Sequence, residues 1–145
     1  MKTKGYSNSV VGGREQNEGS FLVDDHLALY AVADGIGGGL KGEVASQMAV
    51  MGLKNYRQDA ESLKEIFQIL QAEILQESID TLGGAYMGTT LSCVEIKDHK
   101  AHICHVGDSR VYFFDGKVLR QMTEDQEFYD EHLKGTVLNS YLGIE

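Results

Sequence analysis

A chain of 145 residues, 42% of them apolar, has the size of one domain or part of one and can bury a core of ordinary size. Its formal net charge of -9, with acids scattered and no Lys/Arg cluster, argues against a nucleic-acid surface, which needs clustered cations against phosphate, and suits cations as ligands. No apolar stretch approaches the roughly 18 residues of a membrane span, and no apolar segment follows the charged N-terminus, so the reading is a cytoplasmic protein without membrane contact.

Thr3 to Val11, Ser20 to Asp24 and Leu27 to Ala33 read as strands, the second and third joined by a tight turn near Asp25-His26. From Leu40 to Tyr56 the spacing becomes helical, with Val44, Met48 and Met51 beside Ala45 and Ala49. A second helix follows: Asp59 or Ser62 can cap it, Ser62-Leu-Lys-Glu65 matches a capping box, and Leu63, Ile66, Phe67, Leu70 and Ile74 form an apolar stripe before Gly83-Gly84 ends it. Four more strands are predicted at Thr89 to Ile96, Ala101 to Gly107, Arg110 to Phe114 and Lys117 to Met122. Asp115-Gly116 supplies a type I′ hairpin signal between the last two. Glu124 to Lys134 is predicted as a short helix.

Strands, two helices, then strands is an α+β order with mostly antiparallel sheet, not an alternating β-α-β one. With no Pro, repeat, low-complexity tract or linker, residues 1–145 are expected to form a single domain. Cys93 and Cys104 lack the spacing of a zinc or redox motif and lie in apolar, strand-like runs, so they read as buried thiols. A hairpin turning at Lys97-Asp98-His99-Lys100 would bring them close across it, although a disulfide would be out of place in the cytosol.

The chemistry-bearing feature is Asp34-Gly35, at the end of the apolar run from Leu27 to Ala33 and followed by Gly37, Gly38 and Gly39. A strand-end carboxylate can bridge a pair of cations, and a glycine beside it lets its own carbonyl approach one of them, with Mg²⁺ or Mn²⁺ the hard-ion choice. The plain alternative is an Asp-Gly turn with no ligand. Arg14 lies four residues before Glu18 in the loop preceding the second strand, where a guanidinium can clamp phosphate oxygens while the carboxylate supports a cation; the alternative is a pair of exposed loop charges. Gly107-Asp108-Ser109-Arg110 interrupts two strand-like runs with a carboxylate at their junction, or forms an Asx turn whose Asp bonds its own backbone.

Gly37-Gly-Gly39-Leu-Lys-Gly42 has the G-x-G-x-x-G spelling. A dinucleotide site is disfavoured because Asp34 would face the pyrophosphate and no second parallel strand follows. The five histidines show no paired metal spacing, and no nucleophile elbow or activated Cys is present.

Arg14-x-x-Asn17-Glu18, Ala33-Asp34-Gly35-Ile-Gly37-Gly38, Gly88-Thr89-Thr90-Leu91 and Val106-Gly107-Asp108-Ser109-Arg110 together resemble the metal-dependent protein phosphatases of type 2C, particularly the bacterial members. Thr123-Glu-Asp125-Gln126 is similar to that family's Thr-x-Asp-His, and Val137-Leu-Asn-Ser-Tyr-Leu142-Gly143 to its Val-Leu-Thr-x-x-Leu-Gly. The resemblance implies two packed, mostly antiparallel sheets flanked by helices, with a two-metal site at one end. It further implies that Asp34 bridges two Mn²⁺ or Mg²⁺ ions, the Gly35 carbonyl and Glu18 add ligands, Asp108 serves an outer or third cation, and Arg14 holds the phosphate of a phosphoserine or phosphothreonine protein attacked by a metal-activated water. Gly88-Thr-Thr90 has a structural role on this reading, and a Ser/Thr kinase system is the expected counterpart.

Two departures accompany the resemblance. Gly19 stands where the family has an acid, and the family's later Ser-Asp-Gly and Asp-Asn carboxylates have no counterpart in the chain. The segment between Asp125 and Val137 is also short where many relatives carry a flap. The expectation is therefore a C-terminally incomplete sandwich whose open sheet edge favours self-association, and an active phosphatase or, alternatively, a catalytically silent binding module of the same fold.

Overall fold

The computed structural model describes the chain except for Arg14, residues 37–39 and 83–86, Leu133, Asn139 and Glu145, and gives the backbone alone at Leu40, Leu82, 128–129 and 135–137. Its elements are β1 (Gly19–Asp24), β2 (Leu29–Ile36), α1 (Leu40–Tyr56), α2 (Leu63–Leu82), β3 (Gly88–Thr89), β4 (Leu91–Lys97), β5 (Lys100–Val106), β6 (Tyr112–Phe114), β7 (Leu119–Gln121), β8 (Glu127–Asp130) and β9 (Gly135–Leu138). The main sheet has five strands in the order β1-β2-β4-β5, with β3 pairing the far end of β2, and every described pairing is antiparallel. Two-stranded ladders β6–β7 and β8–β9 complete the α+β arrangement of antiparallel sheets and helices that the element order predicts.

Alternation along β2 sorts its side chains by face: Leu29, Ala31 and Ala33 are buried, whereas Val32 and Asp34 are exposed. The buried side meets α1 through Ala45, Ala49 and Leu53, and these join α2 residues Ile66, Phe67, Leu70 and Ile74 in one core. Alanine faces alanine here, so the helix approaches the sheet closely. Val44 and Met51, expected near the apolar face of α1, are instead 41% and 62% exposed. The α2 stripe is buried as its spacing predicts. Ser62 Oγ accepts from the Glu65 amide at 3.2 Å, and the Glu65 carboxylate reaches the Glu61 amide at 2.9 Å, a capping box displaced by one residue on its return arm.

The β4–β5 hairpin turns at Asp98-His99, both with positive φ (53° and 59°), as a two-residue primed turn requires. Cys93 and Cys104 are direct cross-strand partners and both are free. Arg57, just past α1, donates to the buried Glu95 of β4 through Nε and, at 3.0 Å, through Nη2, while its Nη1 donates to the Ala60 carbonyl at 2.9 Å. This fork ties the α1–α2 connection to the sheet.

Three sequence expectations change. Residues 3–11 make no strand; they cross the outer sheet face through side-chain and single backbone contacts, Thr3 Oγ1 lying 2.6 Å from Tyr30 Oη and the Gly5 amide donating to Asp25 Oδ1 at 2.7 Å. A strand needs a neighbouring ladder, and this segment instead lies over side chains of the sheet face, Gly5 against Val23 and Tyr30, rather than beside an edge strand. The helix expected over Glu124 to Lys134 is the β8–β9 ladder, because a short charged helix is marginal by itself while Asp130 Oδ1 accepts from the His132 amide and Lys134 turns the chain with φ 51°. Asp115-Gly116 does make a hairpin, but with a four-residue loop in which Asp115 Oδ1 accepts from the amides of Lys117 and Val118. The Gly83-Gly84 stop after α2 lies outside the described residues.

Removing the Glu95 carboxylate strands a half-buried guanidinium, so Glu95→Ala is expected to lower the unfolding free energy in urea titration by about 2 kcal/mol. A loss no larger than that of an exposed Glu→Ala control would refute the role given to the fork. Burial, first, pushes the Cys93 thiol up from 9.0 to about 12. The fold thus favours the protonated thiol: this contribution is whole below 9.0 and is lost as pH climbs towards about 12. Thermal melts across that window are expected to fall more steeply for the wild type than for Cys93→Val, and parallel curves would contradict the assignment.

Candidate functional site

The site residues gather where β1 and β2 end together. Gly19 and Asp34 are ladder partners, and one step outward the Gly35 amide donates to the Glu18 carbonyl at 3.2 Å. That carbonyl also accepts from Ser46 Oγ of α1 at 2.7 Å, so the Glu18 backbone is held by a strand and a helix at once. Asn17 shapes the approach, its Oδ1 accepting from the Gly19 amide at 2.9 Å and its Nδ2 donating to Ser9 Oγ at 2.7 Å.

Gly35 and Gly42 are glycines by contact. A Cβ on Gly35 would stand 2.0 Å from the Gly42 carbonyl oxygen, and one on Gly42 would stand 2.3 Å from Glu18 Oε2. The Glu18 carboxylate therefore lies against bare backbone in the first turn of α1, beside Gly35. Negative charge is favourable there. Asp34 points to the opposite, open face of the sheet, since side chains alternate along β2. Both residues lie within β2, not in the ligand-free Asp-Gly turn considered as the alternative.

The backbone of Asp34 is fixed by two buried threonines. Its amide donates to Thr90 Oγ1 at 2.9 Å, and its carbonyl accepts from the Thr90 amide at 3.0 Å and from Thr89 Oγ1 at 3.2 Å. Thr90 Oγ1 also lies 2.7 Å from Ser109 Oγ, which brings the Gly107–Ser109 loop to the back of Asp34. Gly107 has φ 105°, and a Cβ on it would stand 2.6 Å from Thr90 Cγ2. Only glycine satisfies both conditions.

Asp108 follows on this loop, and its carboxylate neighbours that of Glu127. Desolvation, followed by Asp108, holds the Glu127 carboxyl above its ordinary range. Arg110 pairs with Asp125 in a fork, Nε to Oδ1 at 2.9 Å and Nη2 to Oδ2 at 2.6 Å, and this hydrogen bonding holds Asp125 below the usual carboxylate range. His105 spans the same region: Nε2 lies 3.1 Å from the Glu124 carbonyl, which can only accept, so Nε2 carries the hydrogen, while Nδ1 lies 2.8 Å from Ser92 Oγ.

The backbones of Glu18, Asp34 and Gly35 are thus adjacent, with the Glu18 carboxylate on the helix side of the sheet and the Asp34 side chain on the opposite face, and the loop that carries Asp108 is joined to Asp34 through Ser109 and Thr90. Arg14 and Gly37 to Gly39 lie outside the described residues. Among the described residues no three His, Cys, Asp or Glu side chains converge to hold a metal ion. The donors that do gather are carboxylate and peptide oxygens, the chemistry of a hard cation, and the space left by the missing Gly42 side chain receives the Glu18 carboxylate. Thr89 and Thr90 hold backbone, in keeping with the structural role expected of Gly88-Thr-Thr90; the bonds of Ser92 to His105 and of Ser109 to Thr90 are not legible in the sequence, where small hydroxyl residues near the carboxylates are the available signal. The absence of any described parallel pairing and the direct succession of α1 by α2 leave no β-α-β unit for a dinucleotide among the described residues.

Gly107→Ala is expected to lower stability by about 2 kcal/mol, since it places a side chain at positive φ and against Thr90. Denaturant titration checks it; a neutral effect would mean the loop is not seated on Thr90.

A family model described as Protein phosphatase 2C matches residues 4–139. The chain is 35% identical over 130 residues to the serine/threonine phosphatase stp of Listeria monocytogenes serotype 4b (strain F2365), covering 83% of this chain and 52% of that protein. Among solved structures it is similar to PppA, a key regulatory component of T6SS in Pseudomonas aeruginosa, at a TM-score of 0.78 and 28% identity, covering 91% of this chain and 62% of that one. It is likewise similar to the catalytic domain of the serine threonine protein phosphatase PstP in complex with 2 manganese ions, at a TM-score of 0.66 and 30% identity, covering 88% and 55%. The chain spans about half the length of the curated relatives it matches.

Proposed function

We propose that this chain, which belongs to the protein phosphatase 2C family, binds Mn²⁺ or Mg²⁺ and serves hydrolysis of phosphoserine or phosphothreonine in a protein substrate. The observation that supports this reading is the Glu18 carboxylate seated on the Gly42 backbone, with the Glu18 carbonyl accepting from the Gly35 amide, next to an Asp34 whose own backbone is bonded on both sides. Glu18, Asp34, the Gly35 carbonyl and Asp108 would hold the ions. When bound, a pair of such cations supplies an acidified water and neutralises charge on the phosphoryl oxygens. Asp34 would contribute negative charge to hold the ions, and the bonds of its backbone with Thr89 and Thr90 would keep it from reorganising as charge builds. Arg14 would orient the phosphate through a planar fork.

The same reading places the protein in the cytoplasm opposite a Ser/Thr kinase system. Among the described residues no helix is long and apolar enough to cross a membrane. Phe21 and Val32, 45% and 47% exposed on the outer sheet face, together with the exposed Phe113, Phe114 and Leu119 of the β6–β7 hairpin, support association of copies through that side. The second reading, a catalytically silent binding module, draws on the lack of three converging ligand side chains among the described residues and on Gly19 in place of an acid.

Calorimetric titration with Mn²⁺ and hydrolysis of p-nitrophenyl phosphate, both with Asp34→Asn as control, decide between them. The expected outcome is binding and turnover that are lost together in Asp34→Asn. Gly19 lies directly across the ladder from Asp34, where a Cβ meets Asn17 Oδ1 at 3.1 Å and little else, so Gly19→Asp is expected to tighten Mn²⁺ binding by adding a carboxylate on the same face. Binding without turnover would favour the silent module, and Mn²⁺ affinity indifferent to Asp34 would overturn the site.

A further inference from the structure

The segment 123–127 contains a residue whose two hydrogen bonds converge on a single partner. Gln126 Oε1 accepts from the Gly107 amide at 2.8 Å, and the Gln126 amide donates to the Gly107 carbonyl at 2.9 Å. Both polar groups of the residue that precedes Asp108 are thereby closed by one residue 19 positions away. On its other side Gly107 is wedged against Thr90, and Thr90 Oγ1 in turn holds Ser109 Oγ and the Asp34 amide. Asp34 and Asp108 stand on elements that are not ladder neighbours, β2 and the end of β5, so their relative placement depends on this loop being seated between Thr90 and Gln126.

We propose that Gln126 is a positioning residue for the cation site: its two-way clamp on Gly107 seats the Gly107–Ser109 loop on Thr90 and so sets Asp108 relative to Asp34. The metal arm of this proposal rests on the function proposed above; the clamp itself does not. The side chain must present an acceptor, because the Gly107 amide can only donate, and it must reach across from a half-buried position. Glutamate keeps an acceptor oxygen at the same reach. Methionine keeps the length and loses the strong acceptor.

The test measures amide hydrogen exchange at Gly107 and Asp34 without metal, and half-saturating Mn²⁺ alongside turnover at saturating Mn²⁺, in the wild type, Gln126→Met and Gln126→Glu. The expected result for Gln126→Met is faster exchange at Gly107 and Asp34 and Mn²⁺ affinity weaker by about tenfold, as for loss of a group that orients a ligand, with turnover at saturating Mn²⁺ much less affected. Gln126→Glu is expected to restore exchange protection and most of the affinity. If Gln126→Met fails to fold, Gln126→Asn, shorter by one methylene with the same groups, is expected to show the same losses. Exchange unchanged in the acceptor-deficient variant, or equal impairment in the Met and Glu variants, overturns the proposal, the latter because it would make the role one of packing alone. Failure of the wild type to bind Mn²⁺ while Gln126→Met still frees the Gly107 amide would overturn the metal reading and leave the clamp established.

Discussion

The structure depends on β2 being bonded along both edges out to Asp34. On one edge β1 pairs from Gly19 to Asp24; on the other, β4 and β3 run alongside from Glu95 to Gly88. Thr90 departs from the regular ladder by offering its hydroxyl, not its carbonyl, to the Asp34 amide. A strand end is ordinarily the place where backbone bonds run out and the chain frays. Here the carboxylate sits where the backbone is most constrained, with Glu18 on one neighbour and the Ser109 contact carried by the other.

Constraint at the strand end is matched by close approach beneath it. Small residues on both sides, Ala31 and Ala33 against Ala45 and Ala49, let α1 lie near enough for Gly42 to touch Gly35 and Glu18. A larger residue at any of these positions would lift the helix and open the gap in which the Glu18 carboxylate is held. The Arg57–Glu95 fork acts at the opposite end of α1, fastening its C-terminal exit to β4. The helix is thus anchored to the sheet at both ends, by backbone contact near the site and by charge away from it.

Periodicity and turn chemistry were legible where local physics decides alone. The α2 stripe, its capping box and the Lys97–Lys100 hairpin with its facing cysteines follow from spacing, cap residues and a two-residue turn. Glu18, Asp34, Gly35 and Asp108 were legible as carboxylates and glycines at strand ends. What could not be read locally were the elements whose state is set by a distant partner: residues 3–11 have strand composition but find no ladder, and 124–134 carries helix-forming charge yet pairs as β8–β9.

The same division runs through the site. Sequence by itself determined the family and the antiparallel α+β character, because residue type and spacing state those directly. Tertiary structure decided that Thr90 would serve Asp34 and Ser109 together, that Gly42 would stand against Glu18, and that Gln126 would close on Gly107. Each of these joins residues 19 or more positions apart through a single hydroxyl, a missing Cβ or one amide. Such contacts are fixed by the geometry of packing elements against one another, and no local pattern encodes them.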